Sequence, residues 1–291
     1  MEQALYYLER SNKNSLIELW CKERLTDESR GWLLEMKRSL QRELKSVKGK
    51  GYLYANFISN RTEYFDIDNV LFEHVGNQVF SDLAVRGLCY ERLYHRPPKV
   101  NQIKRYPYYS SYQVLKKNQK LFWRKEKVLA KWDHIPLPPL HCLNVHTIWL
   151  AMKQGNMMIK SHEDYCQFGL NLKITGPREQ KINLTTVVKP LLEGVVSSLQ
   201  KHNGALIKET ASRLKPILNL NEESLITLLT CNELAVLGEK SLILPYQKTI
   251  RWYPDIQHIA LVNMTYKEDE TFEDYYLCGE LFGVKATKQF K

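Results

Sequence analysis

The chain has 291 residues, of which 44% are hydrophobic and 25% charged, with a net charge of +10. That composition is globular and long enough to bury a core without disulfides or metals; with 11% aromatics and no apolar run of eighteen it excludes a disordered chain and a membrane-spanning helix. Twelve basic residues and one acid, Glu126, lie between Arg92 and Lys131, a local +11 that exceeds the charge of the whole chain and points to a polyanionic partner.

The first twenty residues carry Glu2, Glu9, Arg10, Lys13 and Glu18 without an apolar stretch, so no secretory signal is expected. Six scattered cysteines without C-x-x-C fit reduced thiols in a cytoplasmic protein. A helix capped by Ser15 is expected through Ile17, Leu19 and Trp20. A longer one follows from Thr26 or Asp27, with Leu33, Met36, Leu40, Leu44 and Val47 at helical spacing. Tyr52 to Ile58 reads as a strand, Glu63 to Ile67 as a second extended run, Val79 to Arg86 as a helix and Leu88 to Leu93 as a strand. Val114 to Trp132 has helical character, and Pro136, Pro138 and Pro139 suggest a linker. Helices are then expected at Leu143 to Met152, Thr185 to Gln200 and Glu222 to Leu229, and strands at Phe168 to Ile174, His258 to Tyr266 and Tyr275 to Val284. The fold class is α+β, a mixed α/β arrangement. Its segments are an N-terminal helical stretch (1–50), a first α/β unit (51–98), a basic aromatic segment with a proline-rich linker (99–139) and a second α/β unit (140–291).

Three constellations carry chemistry. In Asp66-Ile67-Asp68-Asn69, two carboxylates at i and i+2 suit a hard cation such as Mg²⁺, or else the acids belong to a turn in which Asp68 or Asn69 caps the next helix. In the basic segment, Arg105, Lys116, Lys117, Lys120, Arg124, Lys125 and Lys127 alternate with Tyr94, Tyr106, Tyr108, Tyr109, Tyr112, Phe122 and Trp123. Cations neutralise phosphates and rings stack on bases, so these cations and Trp123 are the expected nucleic-acid contacts. His141, Cys142, His146, His162 and Cys166 have a zinc-site inventory, though a buried cysteine and surface histidines explain them as well. Walker A, G-x-G-x-x-G, G-x-S-x-G and H-E-x-x-H are absent, which argues against the enzyme classes they mark.

The run from Phe168 to Val195 resembles the core of RusA-like Holliday-junction endonucleases, with their strand, loop, D-x-D-N-x-x-K-x-x-x-D motif and helix. Asn183, Lys189 and Glu193 keep the motif's spacing, but Asn183 and Thr185 stand where the two acids would be and Thr186 replaces the asparagine. Asp66-Ile67-Asp68-Asn69 is similar to the same motif in an upstream copy. There the acids survive, while Phe72 and Gly76 replace the lysine and the later acid. The resemblance implies an internally duplicated unit in which each copy keeps a different part of the site. It also implies one composite catalytic site from Asp66, Asp68, Lys189 and Glu193, with Mg²⁺ on the two aspartates.

The leading expectation is a nucleic-acid-binding protein, non-catalytic and degenerate RusA-like, in microbial DNA maintenance or phage defence. One alternative is an Mg²⁺-dependent endonuclease using Asp66 and Asp68; the other is a subunit whose basic segment docks a protein partner. Asp66 and Asp68 decide between binder and nuclease: acids that cap the helix make a binder, and acids that converge with Lys189 and Glu193 make a nuclease.

Overall fold

The computed structural model describes residues 4–11, 15–47, 51–59, 65–93, 106–115, 121–177 and 182–287. In chain order the elements are β1 (Tyr6–Ser11), β2 (Leu16–Cys21), α1 (Trp32–Ser46), β3 (Tyr52–Ser59), β4 (Gly87–Leu93), β5 (Tyr108–Leu115), β6 (Trp123–Leu137), α2 (Val145–Gln154), β7 (Met157–Ile159), β8 (Phe168–Gly176), α3 (Leu184–Ser198), β9 (Lys201–His202), α4 (Ile207–Leu218), α5 (Glu222–Thr230), β10 (Glu239–Lys240), β11 (Ile243–Tyr246), β12 (Thr249–Trp252), β13 (Ile259–Glu268) and β14 (Tyr275–Ala286). Ten strands form one mixed sheet in the order β1-β2-β5-β3-β4-β13-β8-β14-β6-β7. The expected α+β class holds.

The core lies on one face of this sheet. Leu53, Ala55 and Phe57 of β3, Leu88 and Tyr90 of β4, Leu170, Leu172 and Ile174 of β8 and Val262 and Met264 of β13 alternate with residues that face the other way. Onto them pack Met36, Leu40 and Leu44 of α1, Ile148 and Met152 of α2, and the apolar stripe of α3. A satellite cluster under α4, α5, β11 and β12 is built on Trp149, Leu214, Leu225 and Ile243.

Two expectations fail at the N-terminus. β1 (Tyr6–Ser11) pairs antiparallel with β2 (Leu16–Cys21), so the stretch expected as a helix through Ile17, Leu19 and Trp20 is strand. Ile17, Leu19 and Cys21 enter the main core while Glu18 and Trp20 are buried on the opposite face, so a strand buried on both faces looks like an apolar helix. The first helix starts at Trp32, because Thr26 to Ser29 close a turn and Gly31 takes the left-handed φ of +54° ahead of it. Of the extended run expected at Glu63 to Ile67, Glu63 and Tyr64 lie outside the described residues, Phe65 and Asp66 are not strand and Ile67 already belongs to a helical turn. The helix expected from Val79 is a 3₁₀ turn, Asn77–Phe80.

The basic segment is the larger correction. Its described residues are largely strand, β5 and β6, and the aromatics among them are core: Tyr108, Tyr109, Tyr112, Phe122, Trp123 and Trp132 are all buried. Four consecutive exposed positions, Arg124 to Lys127, disrupt the period of two that would have marked β6 as a strand. Pro136 is no linker either. It sits within β6 opposite Tyr276, beyond the stretch that β7 pairs, where a missing N–H costs no ladder bond on that side. The sheet runs through all four segments, 1–50, 51–98, 99–139 and 140–291.

The two halves of the sheet read alike from the edge to the centre. β2-β5-β3-β4 and β6-β14-β8-β13 each run antiparallel, antiparallel, parallel, and β4 meets β13 antiparallel in the middle. With the edge strands β1 and β7 left out, each half also has the chain order strand, helix, strand, crossover, strand, strand.

Candidate active site

The site forms where the two parallel crossovers meet. After β3 the chain reaches Phe65 and Asp66, then winds into a helical turn whose residues Asn69–Glu73 are π-helical, closed by the His74 N–H donating to the Asn69 carbonyl at 2.8 Å. Such widened turns recur at functional sites. Val70, Leu71 and Phe72 anchor it in the core, Phe72 lying edge-on to Tyr90 and Phe80. Asp68 stands at the start of this turn but makes no capping hydrogen bond. It is 3% exposed, and among the described residues its Oδ1 has no hydrogen-bond partner.

The other wall is α3. Asn183 caps it, accepting from the Thr185 N–H at 3.2 Å, so the helix starts at Leu184, one residue before the expected Thr185. Leu191, Leu192 and Val195 are buried. Lys189 and Glu193, four apart, lie half-buried on one stripe of an otherwise buried helix. Gly194 lets the helix seat against α2, since a Cβ there would meet Ile148 at 2.6 Å.

These side chains share one electrostatic neighbourhood. Burial raises the Asp66 carboxyl, while Lys189 and Arg92 pull it back and Glu73 pushes it up. Burial drives Asp68 up to about 7, helped by Asp66 and Glu193 and opposed by Lys189. Glu193 is raised by burial and by the charges of Asp66 and Glu73, against Lys189. Burial alone would lower the Lys189 ammonium, but it donates to Glu73 at 2.8 Å, and that bond with the charges of Glu73, Glu193 and Asp68 holds it raised. Tyr90 is raised by burial and then by Asp68 and Asp66, and its hydroxyl is also unpartnered. The four acids Asp66, Asp68, Glu73 and Glu193 outnumber the cations Lys189 and Arg92 that act on them.

The four residues expected to form a composite site, Asp66, Asp68, Lys189 and Glu193, thus lie within reach of one another's charges, and the alternative in which Asp68 caps the helix is not what the chain adopts. Glu73, Tyr90 and Arg92 complete the neighbourhood without any motif to announce them. Arg92 donates to the Phe65 carbonyl at 2.6 Å, Arg92 and Arg24 both lie over the Phe65 ring, and the Arg92 charge acts on Asp66. Three carboxylates do not close to within 4.8 Å of one another here, so an Mg²⁺ ion would take one or two directly and the rest through its retained water.

The other expected contacts fare differently. Trp123 is buried and its indole N–H donates to the Arg92 carbonyl at 2.7 Å, so it offers no ring face to a base. Arg124, Lys125 and Lys127 are exposed on β6 and pair with Glu126, Glu280 and Glu163. Arg105, Lys116, Lys117 and Lys120 lie outside the described residues. His141, Cys142, His146, His162 and Cys166 do not converge. Among the described residues the donor triple within 4.8 Å is Asp133, His134 and Cys278, where a bulge sets two residues of β6 against one of β14.

No family model, curated protein or solved structure matches this chain.

Proposed function

We propose that the chain is a divalent-metal-dependent nuclease that holds Mg²⁺ on Asp66 and Asp68 and cleaves a phosphodiester bond in DNA or RNA. The observation that carries this reading is the Asp68 carboxylate, buried, without a cap to make and with one oxygen unpartnered. A buried polar atom left unsatisfied costs about 1–3 kcal/mol, and such a cost is retained where a ligand relieves it. The RusA-like spacing of Lys189 and Glu193 supports the same reading from the sequence side.

The roles follow from charge and position. Asp66 and Asp68 supply hard oxygen ligands, and the cation, once bound, stabilises charge on phosphate oxygens. Lys189, held on α3 by Glu73, places a cation beside them where negative charge develops at the phosphate. Glu193 orients this group from one helical turn further along. Arg92 and Arg24 stand on the Phe65 side of Asp66 as positive groups for the incoming backbone. Binding without cleavage, which the sequence alone favours, gives the buried Asp68 no task.

The test is cleavage of short labelled duplexes, branched junctions and single strands in Mg²⁺ and in Mn²⁺. Cleavage lost by at least about 100-fold in Asp68→Asn supports the proposal, in line with removal of a metal ligand. Cleavage that persists in Asp66→Asn/Asp68→Asn, or a wild-type chain that binds nucleic acid but neither cuts it nor takes up Mn²⁺, refutes it.

A further inference from the structure

We infer that the chain is two copies of one unit joined about a pseudo-two-fold axis, that only one of the two sites this symmetry creates can take a metal, and that each chain therefore nicks a single strand. The inference rests on the function proposed above and narrows it.

The register of the sheet carries the argument. Asp66 and Asn183, the corresponding motif positions, are 117 residues apart. Moving β3 by the same 117 residues sets Leu53, Ala55 and Phe57 on Leu170, Leu172 and Ile174 of β8, and both trios face the core. The shift also sets Tyr54 on Asn171. Tyr54 pairs with Cys89 of β4, and Asn171 pairs with Asn263 of β13, so Cys89 and Asn263 must be symmetry mates. These two residues lie directly opposite each other where β4 meets β13. A two-fold axis normal to an antiparallel pair passes between residues that are mates of one another, and the motif spacing alone leads to such a pair. The strand order and directions, identical in both halves, obey the same axis.

The axis sends Asp66 and Asp68 to Asn183 and Thr185, and Lys189 and Glu193 to Phe72 and Gly76. The equivalent place is therefore visible, and it is closed. Asn183 Nδ2 donates to the Asn77 carbonyl at 2.8 Å, one residue from Gly76, just as Asp66 faces Glu193 on the other side of the axis. The Asn183 Oδ1 accepts from the Thr185 N–H at 3.2 Å and from its hydroxyl at 2.9 Å. Thr185 is 2% exposed, and Phe72 is in the core. Where one site has carboxylates and an unpartnered oxygen, its mate has neutral side chains bonded to each other and to backbone. Neutral amide and hydroxyl oxygens already engaged in this way cannot replace the charged ligands that Mg²⁺ requires. A symmetric pair of such sites would cut two strands; this chain has the groups to cut one.

Calorimetric titration with Mn²⁺ tests this on the full chain in three forms: wild type, Asp66→Asn/Asp68→Asn, and Asn183→Ser, which keeps a capping oxygen. The expected result is that the double aspartate variant loses all binding and Asn183→Ser keeps all of it. On supercoiled plasmid, monomeric protein is expected to accumulate open circles, with linear product arising only from them later. Mn²⁺ sites that survive in Asp66→Asn/Asp68→Asn and vanish when Asn183→Ser is added would overturn the single-site inference while leaving metal binding intact. Linear product from the first time point, with the protein monomeric by light scattering, would overturn it equally. A wild-type chain that takes up no Mn²⁺ would remove the proposed function and this inference together.

Discussion

Strand β4 separates two buried carboxylates that have opposite fates. Tyr90 and Glu91 are successive residues and point to opposite faces of the sheet. On one face Glu91 is wholly buried, yet it accepts from the Tyr54 hydroxyl at 2.6 Å and from the Trp123 and Phe122 N–H groups at 3.0 and 3.3 Å. It ties β3 and β4 to the start of β6. On the other face Asp68 is almost as buried, but its Oδ1 and the nearby Tyr90 hydroxyl have no partner. Burial is nearly equal, and what separates the two acids is the supply of donors. A satisfied carboxylate stabilises the fold, whereas an unsatisfied one costs stability until a ligand arrives.

The sharpest way to break this comparison is to remove both acids in turn. Glu91→Ala is expected to destabilise the chain by about 3 kcal/mol, because three donors are left buried without an acceptor. Chemical denaturation measures it, and a loss below about 1 kcal/mol would remove Glu91 from the scaffold. Asp68→Asn should move the metal-free chain the other way, stabilising it by about 1–2 kcal/mol at pH 8 while ending Mn²⁺ binding. The sign follows from the raised carboxyl. The fold favours protonated Asp68, so this contribution is present below the ordinary carboxylate range and is lost as pH rises through about 7. At pH 8 the ionised carboxylate is a burden that the amide lacks. A less stable Asp68→Asn chain would place Asp68 with Glu91.

A pH series sharpens the same contrast without mutation. Mn²⁺ must displace the Asp68 proton, so its affinity should rise about tenfold per pH unit below pH 7 and level off above it. A flat profile from pH 5 to 8 would mean that Asp68 is not a ligand. The smallest effect is expected at β6. Replacing Arg124, Lys125 and Lys127 by Ala should flatten the dependence of log affinity on log salt by about one for each phosphate no longer neutralised. Each of the three already has a glutamate partner, so an unchanged slope would place the nucleic acid elsewhere on the surface.

Some of this was legible in the sequence. α1 was readable because Met36, Leu40 and Leu44 repeat at helical spacing on one stripe, and β3, β4, β8, β13 and β14 because their apolar runs end in turn residues. The N-terminal hairpin was not, since a strand with both faces buried loses its alternation. β5 and β6 were hidden for the converse reason: lysines concentrated on one strand look like a basic helix when the partner strands are unknown. In the candidate site, motif spacing picked out Asp66, Asp68, Lys189 and Glu193, which act on one another's charges in the structure. It missed Glu73 and Tyr90, which are adjacent to them only because the crossovers fold together.

What the sequence determined by itself was the class of fold and the set of groups able to do chemistry, since periodicity and spacing are local properties of the chain. What only the tertiary structure decided was how those groups are used. A D-x-D-N turn is compatible with a helix cap or with a metal site, and the choice depends on whether donors reach the carboxylate. In this chain they reach Glu91, Asn183 and Thr185 and fail to reach Asp68. That difference is set by packing between segments far apart in the chain, Glu91 with Trp123 and Asn183 with Asn77, which no local pattern encodes.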